Sequence, residues 1–347
     1  MASPLSEFLS REIQAGSFPG AAALIASGDE ILEAVVAGDA AVEPERAGVS
    51  EETLFDLASL TKPLCTGALF FAAKRLDLCW TPGRFFPAWK KTRYDGITIE
   101  TLLTHTSGLP AWYPLYARGE GAEAYRRTLS EIEPAAPPGT TVLYSDLNFL
   151  LAAEILEAWF AAPLDRAFAD LVAAPAGSGA RFLPGEAAQT AATEKGDKTE
   201  RQMTAALGLS YQRFRTGVVR GEVHDGNAYR RGGVAGHAGL FGTARDVWAL
   251  ARTWLDPVRS RFYADLTPGL SEARGLAWQG RRGAASAHEA MPAAAFGHTG
   301  FTGTSVWLDP DRRQVYVLLT NRVHPEVKDP DFNPVRRRFH GVATKAE

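Results

Sequence analysis

The sequence is poor in cysteine, with Cys65 and Cys79 alone in 347 residues. They allow at most one disulfide, which excludes a fold stapled by several bridges. It also lacks an excess of either charge: 37 Lys and Arg against 40 Asp and Glu leave a formal net charge of −3. That balance offers no footprint for nucleic acid or for an anionic membrane surface. No run approaches the roughly 18 apolar residues that a membrane-crossing helix needs. The opening MASPLSEFLSREIQAG has neither a basic stretch nor an apolar one of signal-peptide type, so we expect a cytoplasmic protein. No repeat recurs at a fixed period. What is present is ordinary for a globular chain: 46% hydrophobic and 22% charged residues exclude the disordered and fibrous classes. At about 150 residues per domain, the length suits two domains or one large fold with an insertion.

Hydrophobic periodicity places the regular elements. Ser3 is a candidate helix N-cap with Pro4 at the first helical position, and Leu5, Phe8, Leu9 and Ile13 share one face. AAALIAS (21–27) and EILEAVVAG (30–38) flank Gly28-Asp29 as a hairpin. TSVWL (304–308) and QVYVLLTN (314–321) flank Asp309-Pro310-Asp311 in the same way. Hairpins at both ends predict one antiparallel sheet built from the two termini. The middle reads as helices and loops. TIETLLTHTSG (98–108) starts on a capping threonine, NFLLAAEILEAWF (148–160) is an apolar helix, and 174–200 reads as a long surface connection. Thr243 and Asp246 form a capping box before the helix VWALARTWL (247–255). We therefore expect an α/β (α+β) fold with an antiparallel sheet flanked by helices. A discontinuous sheet domain would comprise 1–80 and 206–347, with a helical insert domain at 81–205.

Three short motifs carry chemistry. The first is SLTK, Ser59 to Lys62, leading into helical spacing in which Pro63 fits only the first turn. A serine hydroxyl is a weak nucleophile until a neighbour takes its proton, and an amine at i+3 is within reach. A helix N-terminus there also favours developing negative charge. An N-capping serine beside a solvated lysine explains the same four residues. The second is YSDLN, Tyr144 to Asn148, at a loop-to-helix junction after Pro137-Pro138-Gly139, where polar side chains are able to enter a cleft. Asp146 as a plain N-cap is the alternative. The third is GHTGFTGT, Gly297 to Thr304, where glycines at a strand edge let the backbone approach a ligand and an exposed N–H stabilise an oxyanion. A tight turn with a bulge is the alternative.

In this order, FDLASLTK, LTHTSGLP (103–110), YSDLNF, VHDGNAY (223–229), GGVAGHAGLFGTA (232–244) and GHTGFTGTS resemble one superfamily. It is that of serine β-lactamases, penicillin-binding proteins and class C-like esterases. Within it, the chain looks like the subgroup of penicillin-binding protein 4B-like proteins and cytoplasmic muropeptide amidases. The resemblance implies a β-lactamase/transpeptidase-like fold with its active site between sheet and helical insert. Ser59 would be the acylated nucleophile, Lys62 its proton partner, and Tyr144 the general base and then the acid for the leaving group. The backbone N–H groups of Ser59 and Phe301 would form the oxyanion hole. Asp146, Asn148, His298, Thr299 and Gly300 would bind substrate, and His105, His224, Asp225, Asn227 and His237 are further candidates to line the site. No cofactor or metal is implied.

Two departures from the family pattern matter. The third motif commonly begins with Lys, and here His298 stands in its place. Facing a substrate carboxylate, an imidazole of reference pKa near 6.5 would act as a clamp engaged at low pH and released at high pH. Asp146 stands where a neutral amide is common, and an anion beside Lys62 favours its ammonium form. Both departures point away from efficient β-lactam hydrolysis. We expect a serine hydrolase acting on an amide or ester, of N-acetylmuramoyl-L-alanine amidase type, with a muropeptide or other small molecule as substrate. Carboxylesterase, weak β-lactamase and D,D-peptidase are the alternatives, and the oligomeric state is not legible.

Other classes fit the residues less well. A metallohydrolase would require His105, His224 and His237 to converge, and none shows H-E-x-x-H or a similarly tight spacing. Structural hydrogen bonds for His105 and His237, and a polar loop network for His224, Asp225 and Asn227, are simpler. Cys65 falls on another helix face than Ser59 and reads as core. A catalytically silent binding protein on the same fold is the last rival, and Ser59, Lys62 and Tyr144 occurring together speak against it.

Overall fold

The two ends of the chain meet in one sheet. In the computed structural model, which describes residues 3–345 apart from 91, 93 and 186, β1 (Gly20–Ser27), β2 (Glu30–Ala41) and β3 (Ala47–Gly48) come from the N-terminal end. β4 (Phe55–Asp56) and β5 (Phe241–Gly242) pair with each other in a small second sheet. β6 (Gln279–Gly280), β7 (Phe296–Thr299), β8 (Ser305–Asp309) and β9 (Gln314–Thr320) complete the large one. Its order is β3-β2-β1-β9-β8-β7-β6, with each neighbouring pair antiparallel. The seam between the termini is β1 on β9, with Ala22 opposite Leu319 and Leu24 opposite Val317. Both expected hairpins are formed, the first turning through Gly28 at φ +57°.

Side chains alternate between two buried layers, as the period of a strand requires. Ala21, Ala23 and Ile25 of β1 face a layer closed by the terminal helices Pro4–Gln14 and Asn333–Ala343, where the Phe8 and Phe339 rings lie 5.8 Å apart. Burying a side chain of this size contributes about 1.5–3 kcal/mol. Ser3 caps the first helix by accepting from the Ser6 N–H, and Pro4 leads it. Ala22, Leu24 and Ala26 face the other layer, which runs without a break into the helical half of the molecule. The apolar helix there spans Asp146–Phe160, and every residue from Leu147 to Leu156 is buried. A helix without a polar face belongs inside a protein. Capping boxes at Thr98 and at Thr243 with Asp246 start the helices Ile99–Leu103 and Ala244–Arg252. Among the described residues, no single helix is long and apolar enough to cross a membrane. Cys65 is buried and Cys79 exposed, both as free thiols.

The segment 174–200 departs from expectation in part. Residues 190–194 are buried, and the backbone N–H groups of Ala191, Ala192 and Thr193 donate to Leu54, Ala40 and Val219. Small side chains permit that close backbone packing, so residues 190–194 run as an interior thread, while most described residues of 174–189 are exposed as a surface connection requires. The helix that follows, Lys198–Ala206, reaches the mouth of the cleft described next.

Candidate active site

Ser59 stands in a tight 3₁₀ turn, Ala58–Leu60, and not at the start of a regular α-helix. Lys62–Gly67 continues as a π-helical turn before the α-helix Ala68–Ala72. Pro63 has no amide hydrogen to offer the carbonyl four residues back, so the ladder opens there. Ala58 has φ +46°, a left-handed conformation that costs an L-residue about 1–2 kcal/mol. Asp56 holds the strained turn: the N–H groups of Ala58 and His224 donate to its two carboxylate oxygens at 2.8 and 2.7 Å. Burial pushes the Asp56 carboxyl above its ordinary range despite these two bonds.

Lys62 is fully buried. Its Nζ lies 2.7 Å from Ser59 Oγ, 2.7 Å from Tyr144 Oη and 2.6 Å from Asp146 Oδ1. An ammonium carries three protons, and each of these oxygens receives one. Burial pulls Lys62 down, but Asp146 and then Tyr144 more than offset it, so its pKa is raised and the ammonium persists. Local backbone puts the two partners on one side. Ser145 between them is extended (φ −138°, ψ 127°), which points Tyr144 and Asp146 the same way and Ser145 the other. Ser145 Oγ donates to the Pro110 carbonyl at 2.6 Å, and its N–H donates to His105 Nδ1 at 3.0 Å.

The third motif leaves β7 at Thr299 and turns back over the serine. Thr302 Oγ1 donates to the Asp56 carbonyl at 2.7 Å and Thr304 Oγ1 to the Leu57 carbonyl at 3.0 Å. Gly300 is obligatory, because a Cβ there would lie 2.6 Å from the Leu57 carbonyl oxygen. These contacts bring Ser59, Thr299, Gly300 and Phe301 to one cleft of about 330 Å3, together with Tyr144 and Asp146. His224, Asp225 and His237 line it too. The His224 ring stacks on Phe301 at 5.5 Å, and its Nε2 is 3.1 Å from Glu194 Oε2. Burial lowers the His224 pKa, but the Glu194 bond and charge more than restore it, leaving it raised. His237 Nε2 contacts Asp225 Oδ1 at 2.8 Å.

Four expected site residues lie elsewhere. Asn148 is buried behind the cleft, where it accepts from Ser107 Oγ at 2.6 Å. Its position one turn into an all-round apolar helix turns it inward. Asn227 is likewise internal, accepting from the Leu115 N–H and donating to the Tyr113 carbonyl. His105, at φ +59°, packs its ring 4.5 Å from that of Tyr144 and supports it from behind. His298 faces away from the Ser59 cleft into a second cavity, with Nδ1 2.8 Å from the Thr299 carbonyl. Burial first, then the charges of Lys62 and Arg274, hold its pKa well below the ordinary imidazole value. The expected pH-switched carboxylate clamp is therefore corrected: this imidazole stays neutral.

Sequence reasoning missed two cations of the cleft. Arg336 is buried and donates to the Gly300 carbonyl and to Asn333 Oδ1, while Arg322 donates to the carbonyls of Phe301 and Asp329. None of these partners is a carboxylate. Helical spacing puts Arg336 beside Val335 and Phe339, but only the packed sheet shows that this face is inside. Asp146, Asp225 and His237 have ligand-type atoms within 4.8 Å of one another. A metal ion there would compete with Lys62 for the Asp146 oxygen, a poor arrangement for a divalent cation.

A protein-family model described as Beta-lactamase matches residues 5–339. The N-acetylmuramyl-L-alanine amidase of Bacillus subtilis (strain 168) is 30% identical, over 95% of this chain and 84% of its own length. An Escherichia coli (strain K12) protein whose name proposes a D-alanyl-D-alanine carboxypeptidase is 31% identical, over 81% of this chain and 72% of its own. Among solved structures, EstCE1, a hydrolase with promiscuous acyltransferase activity, superposes with a TM-score of 0.76 at 21% identity, covering 98% of this chain and 97% of its own. A class C beta-lactamase does so with a TM-score of 0.76 at 16% identity, covering 99% and 96%.

Proposed function

The chain belongs to the Beta-lactamase family and is a serine hydrolase, and from that premise we propose that it cleaves an amide bond through an acyl-enzyme on Ser59. The observation that carries this reading is one buried nitrogen, Lys62 Nζ, bound at once to Ser59, Tyr144 and Asp146. With three protons in place, the Lys62 nitrogen has no lone pair to take the Ser59 proton. It acts instead as a fixed cation that stabilises an anionic oxygen at Ser59 or Tyr144. The Ser59 proton passes to the oxygen of Tyr144 in its phenolate form as Oγ attacks the carbonyl carbon, and the backbone N–H groups of Ser59 and Phe301 donate to the developing oxyanion. Tyr144 then returns the proton to the leaving nitrogen as the C–N bond breaks. Water enters, gives a proton to Tyr144 and attacks the acyl carbon; as the bond to Ser59 Oγ breaks, Tyr144 passes that proton to Oγ, which frees the acid and restores both side chains. An amine leaves only once protonated, whereas an activated ester does not need this acid. The placement of Tyr144 therefore favours amides.

For the substrate, the relative from Bacillus subtilis supports the bond between the lactoyl carbonyl of N-acetylmuramic acid and the L-alanine of a muropeptide. Incubation with MurNAc-L-Ala-D-Glu should release the free dipeptide, and an activated ester should leave an adduct on Ser59 by intact-mass measurement. Unlabelled Ser59, or undiminished turnover by Ser59→Ala, refutes the acyl-enzyme. A second reading is favoured by Arg322 and Arg336, guanidinium groups in the cleft with no carboxylate partner among the described residues. They suit a terminal carboxylate, as in a D,D-carboxypeptidase substrate. Release of D-alanine from a D-Ala-D-Ala peptide, with the lactoyl amide untouched, decides for that reading.

A further inference from the structure

Three aromatic side chains line the Ser59 cleft, and two of them are already engaged. The Tyr144 ring lies 4.5 Å from that of His105 and 4.7 Å from Lys62 Nζ. The Phe301 ring lies 5.5 Å from that of His224 and 5.1 Å from the Arg322 guanidinium. The third is Trp112, half-buried and packed against the core on one side. Among the described residues, no other ring or cation stacks on its indole.

The backbone fixes this ring in place. The Ala111 carbonyl accepts the Asp146 N–H at 2.9 Å, and the Tyr113 carbonyl accepts from Asn227 Nδ2 at 2.9 Å, so the residue on each side of Trp112 is tied down. A preorganised aromatic face binds a flat partner at little cost in ordering. Its surroundings offer acceptors. Lys62 donates to Oδ1 of Asp146, and the Ala228 N–H and His237 Nε2 both meet Oδ1 of Asp225. Oδ2 of each carboxylate has no partner among the described residues, and the two side chains are 21% and 19% exposed in the cleft.

An aromatic face beside open carboxylate oxygens selects its ligand by chemistry. An anion is repelled, and a wholly apolar group strips water from the carboxylates without replacing it. An ammonium would meet Lys62, which already stands 2.6 Å from Asp146. A pyranose offers what both surfaces need: partially positive C–H bonds for the negative face of the indole, and hydroxyls that donate to Oδ2 of Asp146 and Asp225. We propose that Trp112 is a specificity-determining residue, the platform on which a sugar ring in the acyl part of the substrate stacks. The assignment deepens the muropeptide reading above and rests on it, the sugar there being N-acetylmuramic acid.

The test measures ligand binding to Ser59→Ala by calorimetry. One ligand is MurNAc-L-Ala-D-Glu; the other, (R)-2-methoxypropanoyl-L-Ala-D-Glu, keeps the ether oxygen and the amide but lacks the ring. The ring-free ligand should bind about tenfold more weakly, the scale of one aromatic stacking contact. Trp112→Leu and Trp112→Met, apolar but without a flat face, should bring that ratio toward one, whereas Trp112→Phe should keep most of it. Melting curves show which variants are folded, and either flat-face deletion suffices. In the complex with Trp112 intact, sugar C–H protons should move upfield under the indole ring current, a reading that needs no substitution there. A ratio near one, a ratio that survives both deletions, or tighter binding of D-Ala-L-Ala-D-Glu, with its ammonium in place of the sugar, overturns the assignment. Each leaves the amidase reading standing as long as the wild type releases L-Ala-D-Glu from the muropeptide. Failure of that release overturns the amidase reading and this inference with it.

Discussion

Replacing Asp146 by Asn removes the carboxylate that, among the described residues, pairs with Lys62. Two unit charges 2.6 Å apart attract by about 6 kcal/mol at an effective dielectric of 20, a gross figure that mostly offsets the cost of burying the ammonium. Stripping a buried charge of its partner costs about 3–5 kcal/mol net, and Asn keeps an acceptor oxygen, so we expect roughly 2–3 kcal/mol of lost stability at neutral pH. Denaturant unfolding of both proteins reads this directly. The kinetic consequence has a definite sign. The Lys62 pKa is raised in the folded protein, so its stabilising contribution is complete below the ordinary lysine value and is lost as pH rises through the folded one. In Asp146→Asn, burial still pulls the ammonium down and Tyr144 alone opposes it. The alkaline limb of the acylation profile therefore moves to lower pH, as rapid-mixing measurements with an activated ester would register. An Asp146→Asn variant with the same unfolding midpoint and the same alkaline limb as the wild type would refute the claim that Asp146 holds Lys62 as a cation.

Lys62 and Tyr144 share one hydrogen-bonded unit, so the losses from Lys62→Ala and Tyr144→Phe should be far from additive, and a double variant showing the product of the single losses counts against coupling. His298 stays neutral, so kcat/KM for an anionic substrate divided by that for its neutral amide analogue should follow the same course with pH in the wild type and in His298→Gln, any imidazole step common to both belonging to His224. A fall in that ratio with rising pH that the wild type shows and His298→Gln lacks would restore a charged clamp. The raised pKa of His224 makes its pairing with Glu194 most stabilising below the ordinary imidazole value, with loss as pH rises through the folded one. The stability gap between the wild type and Glu194→Gln should therefore be wider near pH 6 than near pH 9, about half a unit below and well above the reference value. A gap that widens toward alkali contradicts this.

Much of the architecture was legible along the chain because strand period, turn residues and caps are local. The two hairpins, the Thr243 capping box and the Pro4 helix start needed only neighbours a few residues apart. Ser59, Lys62 and Tyr144 were legible as members of short motifs whose spacing is chemical. The approach of Tyr144 to Lys62, eighty-two residues away in sequence, was implied by resemblance to a family rather than by any local rule.

What the sequence determined by itself is therefore the set of elements and the reactive groups, since φ/ψ preference and periodicity act over a few residues. Tertiary structure alone decided which polar side chains face the cleft. His298 and Thr299 are adjacent on β7 and point to opposite sides, so one lines only the second cavity while the other reaches the serine. Asn148 and Asp146 stand two residues apart at a helix start, yet one is sealed behind Ser107 and the other pairs with Lys62. Arg336 became a cation of the cleft only when β8 and β9 packed beneath its helix and buried that face. In each case the deciding quantity is burial, which sets charge state and hydrogen-bond partner. It depends on segments far apart in the chain, and no local pattern encodes it.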